Sequence, residues 1–248
     1  LVLLVLATGE SGHHRVIERA LKENALPAAA PALIARGTGN RVCLGNKGSL
    51  HVRVVIRGRS YHPSNPAEAL NAIDGAEAAL GRLREFAAAN TATDPDLGSS
   101  LLVPIGIESR PKGPIIPDEC AIEVSGRLVP GQDPQALAAG LREALALPGG
   151  FRTEVTLERF HFPAKVAPDH PLSAAAREAV RKAGGNTEPL YMHASLDAGY
   201  FCRRGGAAVS LGPGAPELAH SPSDVVSLKE LEEGARIYLS LFRRMQTA

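Results

Sequence analysis

The sequence predicts an α/β protein in two parts: a βαββαβ unit of the split, ferredoxin-like type, inserted into an α/β layer whose two pieces flank it. Three observations lead there. Between Lys47 and Phe160 the hydrophobic pattern switches between a period of two and a helical period, in the order strand, helix, strand, strand, helix, strand. The segments on either side, residues 1–45 and 161–248, carry short apolar runs and amphipathic helices of a different rhythm. The composition, 44% hydrophobic and 21% charged over 248 residues, is globular and long enough for one large or two small domains. The domains expected are therefore 46–160, inserted, and 1–45 with 161–248, flanking.

In chain order, Leu1 to Leu6 is an apolar run followed by Ala7-Thr8-Gly9-Glu10. It lacks the basic flank and cleavage site of a signal peptide and is far shorter than the about 20 residues of a membrane span. It reads as a buried parallel-type strand, and a chain opening in mid-strand without Met reads as truncated. A helix is expected around Arg15 to Asn24 and a short strand at Ala32 to Ala35. From Lys47, Leu50, Val52, Val54 and Ile56 alternate with His51, Arg53, Val55 and Arg57, a half-buried strand ended by Gly58. Beyond Pro63, Asn65 and Pro66 comes a helix with Leu70, Ile73, Leu80, Leu83 and Phe86 on one face. Leu101 to Ile107 and Ala121 to Val129 are two further strands. Asp133 is an N-cap with Pro134 at the first helical position, followed by Leu137, Leu141 and Leu145. After Pro148-Gly149-Gly150, Phe151, Thr153, Val155 and Leu157 make a fourth strand. The last part supplies a helix at Pro171 to Ala183 closed by Gly184-Gly185, a strand at Ala207 to Leu211, and a final helix. That helix opens with the capping box Ser227 to Glu230 and turns Leu231, Ala235, Tyr238, Leu239 and Phe242 inward.

Charge and composition exclude several function classes. Lys plus Arg is 27 against 26 acidic residues, a net charge of +1, and the chain has no Trp, 6 Phe and 4 Tyr. Neither the electrostatic drive nor the stacking platforms for nucleic acid are present, and no membrane partner is expected. Cys43, Cys120 and Cys202 are odd in number and widely spaced, so no disulfide framework or thiolate zinc site is indicated, and a reducing cytoplasm is expected.

Several strings raise a question of chemistry. His62 lies at a strand end between prolines; a fixed imidazole there suits donation to an oxyanion, and an exposed loop histidine is the plain alternative. His220 follows a buried strand through Gly212-Pro213-Gly214, where open α/β sheets bind ligands, and Asp224 is near enough in sequence to orient it. His193 to Asp197 contains Ser195 with a His and an Asp, but triad members come from separate elements and no GxSxG elbow surrounds the serine. Glu10, His13 and His14 have helical spacing without the second helix that a di-metal site of that type requires. Gly37 to Gly39 and Gly45 to Ser49 lack Walker and Rossmann spacing.

Taken together, Thr38-Gly39-Asn40 with Lys47-Gly48, Gly58 to His62 with Pro66 and Asn71-Ala72-Ile73, Ile116-Pro117-Asp118, Arg127 to Gly131, Ser195 to Ala198, Gly212 to Gly214 and Ala219-His220 carry a resemblance in their order and spacing. They resemble the di-zinc metallopeptidase family that includes acetylornithine deacetylase, succinyl-diaminopimelate desuccinylase, aminoacylase and glutamate carboxypeptidase. The resemblance implies that the inserted unit is that family's lid domain, which mediates homodimerisation, and that the flanks are an incomplete zinc-peptidase-like catalytic domain. It implies two zinc ions and attack of water on an amide carbonyl with a Glu as general base. By residue, it assigns His220 to zinc and Glu10 to metal or general base. It assigns His62 to oxyanion stabilisation in the partner's site, and Arg127, Asn71, Gly212 and Gly214 to the substrate.

The departures matter as much. The family's His-x-Asp segment falls upstream of Leu1, Gly9 or Glu10 falls on the base depending on a one-residue shift, Arg36 falls on an acidic ligand, and Pro114 stands for an Asn. A catalytic zinc needs about three protein ligands. The expectation is a hydrolase of N-acyl amino acids or small peptides, impaired or inactive in this chain; the alternative is a non-catalytic homodimerisation or small-carboxylate-binding module. The first strand and first helix of the lid, with Val54 and Leu80, are expected at the subunit contact.

Overall fold

The computed structural model describes residues 15–23, 25–26, 29–111 and 113–246; Leu1 to Leu6, Gly9, Glu10, His13 and His14 lie outside the described residues. Two compact units emerge, Gly48–Phe160 and the chain on either side of it. Among the described residues no helix is long and apolar enough to cross a membrane.

The inserted unit runs β3 (Gly48–Arg57), α2 (Ala72–Ala89), the short hairpin β4 (Thr93–Asp94) and β5 (Gly98–Ser99), then β6 (Leu101–Glu108), β7 (Glu119–Leu128), α3 (Pro134–Ala144) and β8 (Arg152–His161). Its main sheet has the order β6-β7-β3-β8, with β7 antiparallel to both β3 and β6. Setting β7 between β3 and β6 is what splits the βαβ unit. The period-two expectation for β3 holds: Leu50, Val52, Val54 and Ile56 are buried with Ile122, Val124, Leu128, Leu83, Leu141 and Leu145 in one core beneath α2 and α3. Asp133 caps α3, accepting the amides of Gln135 (2.8 Å) and Ala136 (3.0 Å).

Two readings are corrected here. The inward face of α2 is Ala72, Gly75, Ala76, Ala79 and Leu83, whereas Ile73 is exposed and Leu70 precedes the helix, bridging Arg59. The helix lies so close to the sheet that a Cβ on Gly75 would come within 2.8 Å of Ile56 and Phe151, so small residues line its innermost stripe beside Leu83, while the expected Leu80 and Phe86 pack partly buried against the same core. The expected contact strand β3 is central and Val54 is fully buried, so it is not available to a partner. The strands at the sheet's ends are β6 and β8, and on β6 Leu101, Val103, Ile105 and Ile107 are exposed. A bulge between Pro104 and Gly106 passes Ile107 to the helix-bearing face, opposite the buried Ile122.

The flanking unit contains α1 (Arg15–Lys22), β1 (Ala32–Ala35), β2 (Cys43–Asn46), β9 (Ala164–Lys165), α4 (Pro171–Lys182), β10 (Leu190–Met192), α5 (Ala198–Cys202), β11 (Ala208–Leu211) and α6 (Leu228–Gln246). Its sheet has the order β1-β11-β2-β10, with β9 also on β2; β1 and β11 run parallel, as do β2 and β10. Val42, Leu44, Val209 and Leu211 pack against Ala176, Val180, Ile237 and Leu241. Gly184, at φ 78°, and Gly185 close α4, the Gly185 amide donating to Val180 carbonyl at 3.0 Å. The capping box of α6 is present: Ser227 and Glu230 exchange backbone amides at 3.1 and 3.2 Å. Its inward stripe is Gly234, Ile237 and Leu241, one position off the expected set; Leu231 and Leu239 are exposed. The displacement follows from Gly234, whose missing Cβ lets Asn40 and Pro213 approach the helix.

Candidate functional site

In the flanking unit the parallel pair β1 and β11 is in register from Ala32 opposite Ala208 to Ala35 opposite Leu211. Both strands therefore release their chains on the same side, the place where open α/β sheets bind ligands. The two loops lock together there. The Thr38 and Asn40 amides both donate to the Gly212 carbonyl, at 3.0 and 2.8 Å, and the Gly39 amide donates to the Gly214 carbonyl at 2.8 Å. The buried Thr38 hydroxyl accepts the Gly212 amide at 3.1 Å and donates to the Arg41 carbonyl at 2.7 Å. A Cβ on Gly212 would fall 2.5 Å from the Arg36 carbonyl oxygen, which is why glycine stands at that position. Tyr238 of α6 donates its hydroxyl to the Leu211 carbonyl at the strand end.

Asn40 (φ 55°) and His220 (φ 63°) are the non-glycine residues found in the left-handed region. That conformation costs a residue with a Cβ about 1 kcal/mol or more and tends to persist where the surroundings over-determine it. Asn40 is held by its side-chain amide on the Glu230 carbonyl at 2.9 Å, while its side-chain oxygen is buried without a hydrogen-bond partner. His220 is exposed, and the Asp224 carboxylate accepts its backbone amide at 3.1 Å, so Asp224 fixes the peptide that carries the ring. The Ser227 amide and hydroxyl hold the Glu230 carboxyl below its ordinary range, with the Gly214 amide contributing. This apparatus presents His220 and the half-buried Arg36 on rigid loops.

The candidates in the inserted unit are arranged differently. His62 is exposed just beyond the end of β3, its Nδ1 2.8 Å from the Ser64 hydroxyl and accepting the Ser64 amide at 3.2 Å. Asn71 serves as the N-cap of α2: its side-chain oxygen accepts the Ile73 amide at 3.1 Å and its amide donates to Asp74 at 3.0 Å. Arg127 lies opposite Ser49, at the start of β3, and donates to the Gly126 carbonyl at 3.1 Å. Eight steps of strand run from Ser49 to Arg57, about 27 Å at ~3.4 Å per residue, so Arg127 and the loop that carries His62 stand at opposite ends of the sheet. Within the inserted unit of a single chain they do not meet. Glu10 lies outside the described residues.

Residues 44–150 match the peptidase dimerisation domain of the M20 metallopeptidases. The chain is 27% identical to an acetylornithine deacetylase of Myxococcus xanthus over 240 residues, 92% of this chain and 61% of that protein. Residues 44–150 thus carry a peptidase dimerisation domain, and over most of its length the chain is similar to M20-type deacylases and peptidases. A Mycobacterium tuberculosis protein described as a succinyl-diaminopimelate desuccinylase is also 27% identical, over 78% of this chain and 52% of its own length. Among solved structures, the M20 family metallo-carboxypeptidase Sso-CP2 of Sulfolobus solfataricus has a TM-score of 0.72 at 20% identity, covering 95% of this chain and 68% of that one. A tripeptidase of Staphylococcus aureus has a TM-score of 0.74 at 19% identity, over 97% of this chain and 62% of that one. The chain spans about half to three fifths of the length of the curated relatives it matches.

An M20 relationship implies metal, and the donor set of this chain tests the fit. Among the described residues no group of three His, Cys, Asp or Glu side chains gathers around His220; the group that does gather is His51, Glu123 and Glu158, on the lid sheet. Around His220 the described residues do not fit a two-zinc centre. Sequence reading put His51 on the polar side of its strand but had no means of joining it to Glu123 and Glu158, because pairing register between strands is not written in any one of them.

Proposed function

We propose that this chain is the dimer-forming and substrate-holding part of a metal-dependent amide hydrolase of the deacylase or carboxypeptidase type, acting on N-acyl amino acids or small peptides. The observation that supports the reading is the locked pair of loops after β1 and β11, with His220 further along the loop that follows β11, in a left-handed conformation. On this reading His220 is the metal ligand and the loop Gly212 to Gly214 holds substrate in the flanking unit, while in the inserted unit Arg127 is a donor for the substrate's carboxylate and Asn71 lies at the other end of the sheet, with His62. His62 supplies an oxyanion donor to the active site of a second copy. The separation of His62 from Arg127 along the lid sheet supports that division, since it far exceeds the length of an N-acyl amino acid.

In the proposed dimer, the apolar β6 edge meets its own copy, as homodimer interfaces do when one patch is self-complementary. The chain by itself hydrolyses weakly or not at all, because Arg36 puts a guanidinium where the family resemblance calls for an acidic ligand. This observation also favours the second reading, a homodimerising, small-carboxylate-binding protein without hydrolysis.

Incubation of the zinc-loaded chain with a panel of N-acyl amino acids and dipeptides, with amine release followed, tests both. Binding of the carboxylate products without turnover, lost in Arg127→Ala, is expected. Two tightly held zinc ions per chain with rapid turnover would overturn the impairment, and failure to bind any carboxylate would overturn the substrate-holding role.

A further inference from the structure

We propose that His51, Glu123 and Glu158 form a site for a divalent transition-metal ion, with zinc as the best fit, on the lid-sheet face turned away from α2 and α3. His51 lies on the central strand β3, Glu123 on β7 and Glu158 on β8, so three adjacent strands each bring one donor. Burial of Leu50, Val52 and Val54 fixes the register that does this. A slip of one residue would send His51 to the core, and the pairing of Arg53 with Glu123 sets the β7 side.

The three donor atoms all lie within 4.8 Å of one another, and His51 Nδ1 is 3.8 Å from Glu158 Oε2. Tetrahedral zinc with bonds of about 2.1 Å places neighbouring donors roughly 3.4 Å apart, so small side-chain rotations close the shell. His51 Nδ1, one of those donors, is a buried atom with no hydrogen-bond partner on a side chain 20% exposed, although buried ring nitrogens normally have one. A cation at the centre of the group satisfies it.

Arg53 pairs with Glu123 and holds its carboxylate in place, as outer partners of metal ligands do. One imidazole and two carboxylates suit zinc and its neighbours. Calcium and magnesium call for six or more oxygens. Three protein ligands leave a fourth position for water. The bound ion joins β7, β3 and β8 on the side that has no hydrophobic core, and by mass action it stabilises the folded lid. None of the three residues matches a position that the family resemblance assigns to metal, and the inference does not depend on the hydrolase reading.

Zinc binding to the whole chain by equilibrium dialysis, with parent, His51→Ala, Glu158→Gln and His220→Ala, is the test. One ion is expected in the parent, weakened at least about tenfold in His51→Ala and Glu158→Gln and retained in His220→Ala. X-ray absorption is expected to report a nitrogen and oxygen shell. Glu158→Gln alters an exposed side chain, so circular dichroism matching the parent separates lost ligation from lost fold. Equal affinity in parent, His51→Ala and Glu158→Gln, or no binding by the parent, overturns the site. Loss in His220→Ala alone assigns the ion to the hydrolase centre and overturns it as well.

Discussion

Replacing Ile107 by lysine tests which strand makes the proposed dimer. Ile107 is 57% exposed on β6, an end strand of the sheet, and Leu101, Val103 and Ile105 are similarly open. Fully burying an isoleucine is worth roughly 1.5–3 kcal/mol, so covering the exposed part of Ile107 is worth about 1–1.7 kcal/mol per chain. A two-fold interface uses each residue twice, giving about 2–3 kcal/mol for the pair. At about 1.4 kcal/mol per factor of ten, Ile107→Lys weakens the dimer by roughly 30- to 150-fold, before any repulsion between the two lysines. Sedimentation equilibrium over a wide concentration range measures this directly, and the thermal midpoint should stay near the parent's because the side chain is outside the core. Val54→Lys is the contrast: Val54 is fully buried on the central strand, so that change unfolds the lid and yields no folded monomer. A dissociation constant within about threefold of the parent, or a parent that is monomeric at every concentration, would refute the reasoning; the threefold margin is under 1 kcal/mol.

Three further outcomes follow from the flanking unit. Gly212→Ala drives a methyl to within 2.5 Å of the Arg36 carbonyl, and overpacking of this kind costs about 1–3 kcal/mol, read as a lower thermal midpoint with weaker carboxylate binding; an unchanged midpoint would mean the loops have slack. His220→Gly keeps the left-handed backbone while His220→Ala does not, so the alanine variant should be the less stable by about 1 kcal/mol although both lack the ring; equal stabilities in urea titration would deny the constraint. Glu230 titrates below its ordinary 4.5 when folded, because Ser227 stabilises the carboxylate, so its contribution exists above that value and is lost as pH falls through the depressed one. The stability difference between parent and Glu230→Gln should therefore be constant near neutrality and vanish in acid; a difference that persists there would contradict the capping geometry.

The sequence by itself determined what depends on neighbours along the chain. The alternation of β3, the Asp133 cap with Pro134, the Gly184-Gly185 stop and the Ser227 to Glu230 box are local devices, and each appears where its residues are. The α/β class and the split βαββαβ order followed from them. Family resemblance likewise rested on short strings, which is why it could point to His220 and Gly212 to Gly214 as candidates. Tertiary structure decided what depends on distance across the chain. Bulk suggested Ile73 and Leu231 as core residues, but the close approach of α2 and α6 to their neighbours at Gly75 and Gly234 turned smaller faces inward. Only the sheet order made β3 central and β6 an edge, moving the expected dimer contact off Val54. Only register brought His51, Glu123 and Glu158 together. Periodicity tells each strand which face is apolar, whereas the identity and alignment of its partners come from the lowest free energy of the whole packed sheet.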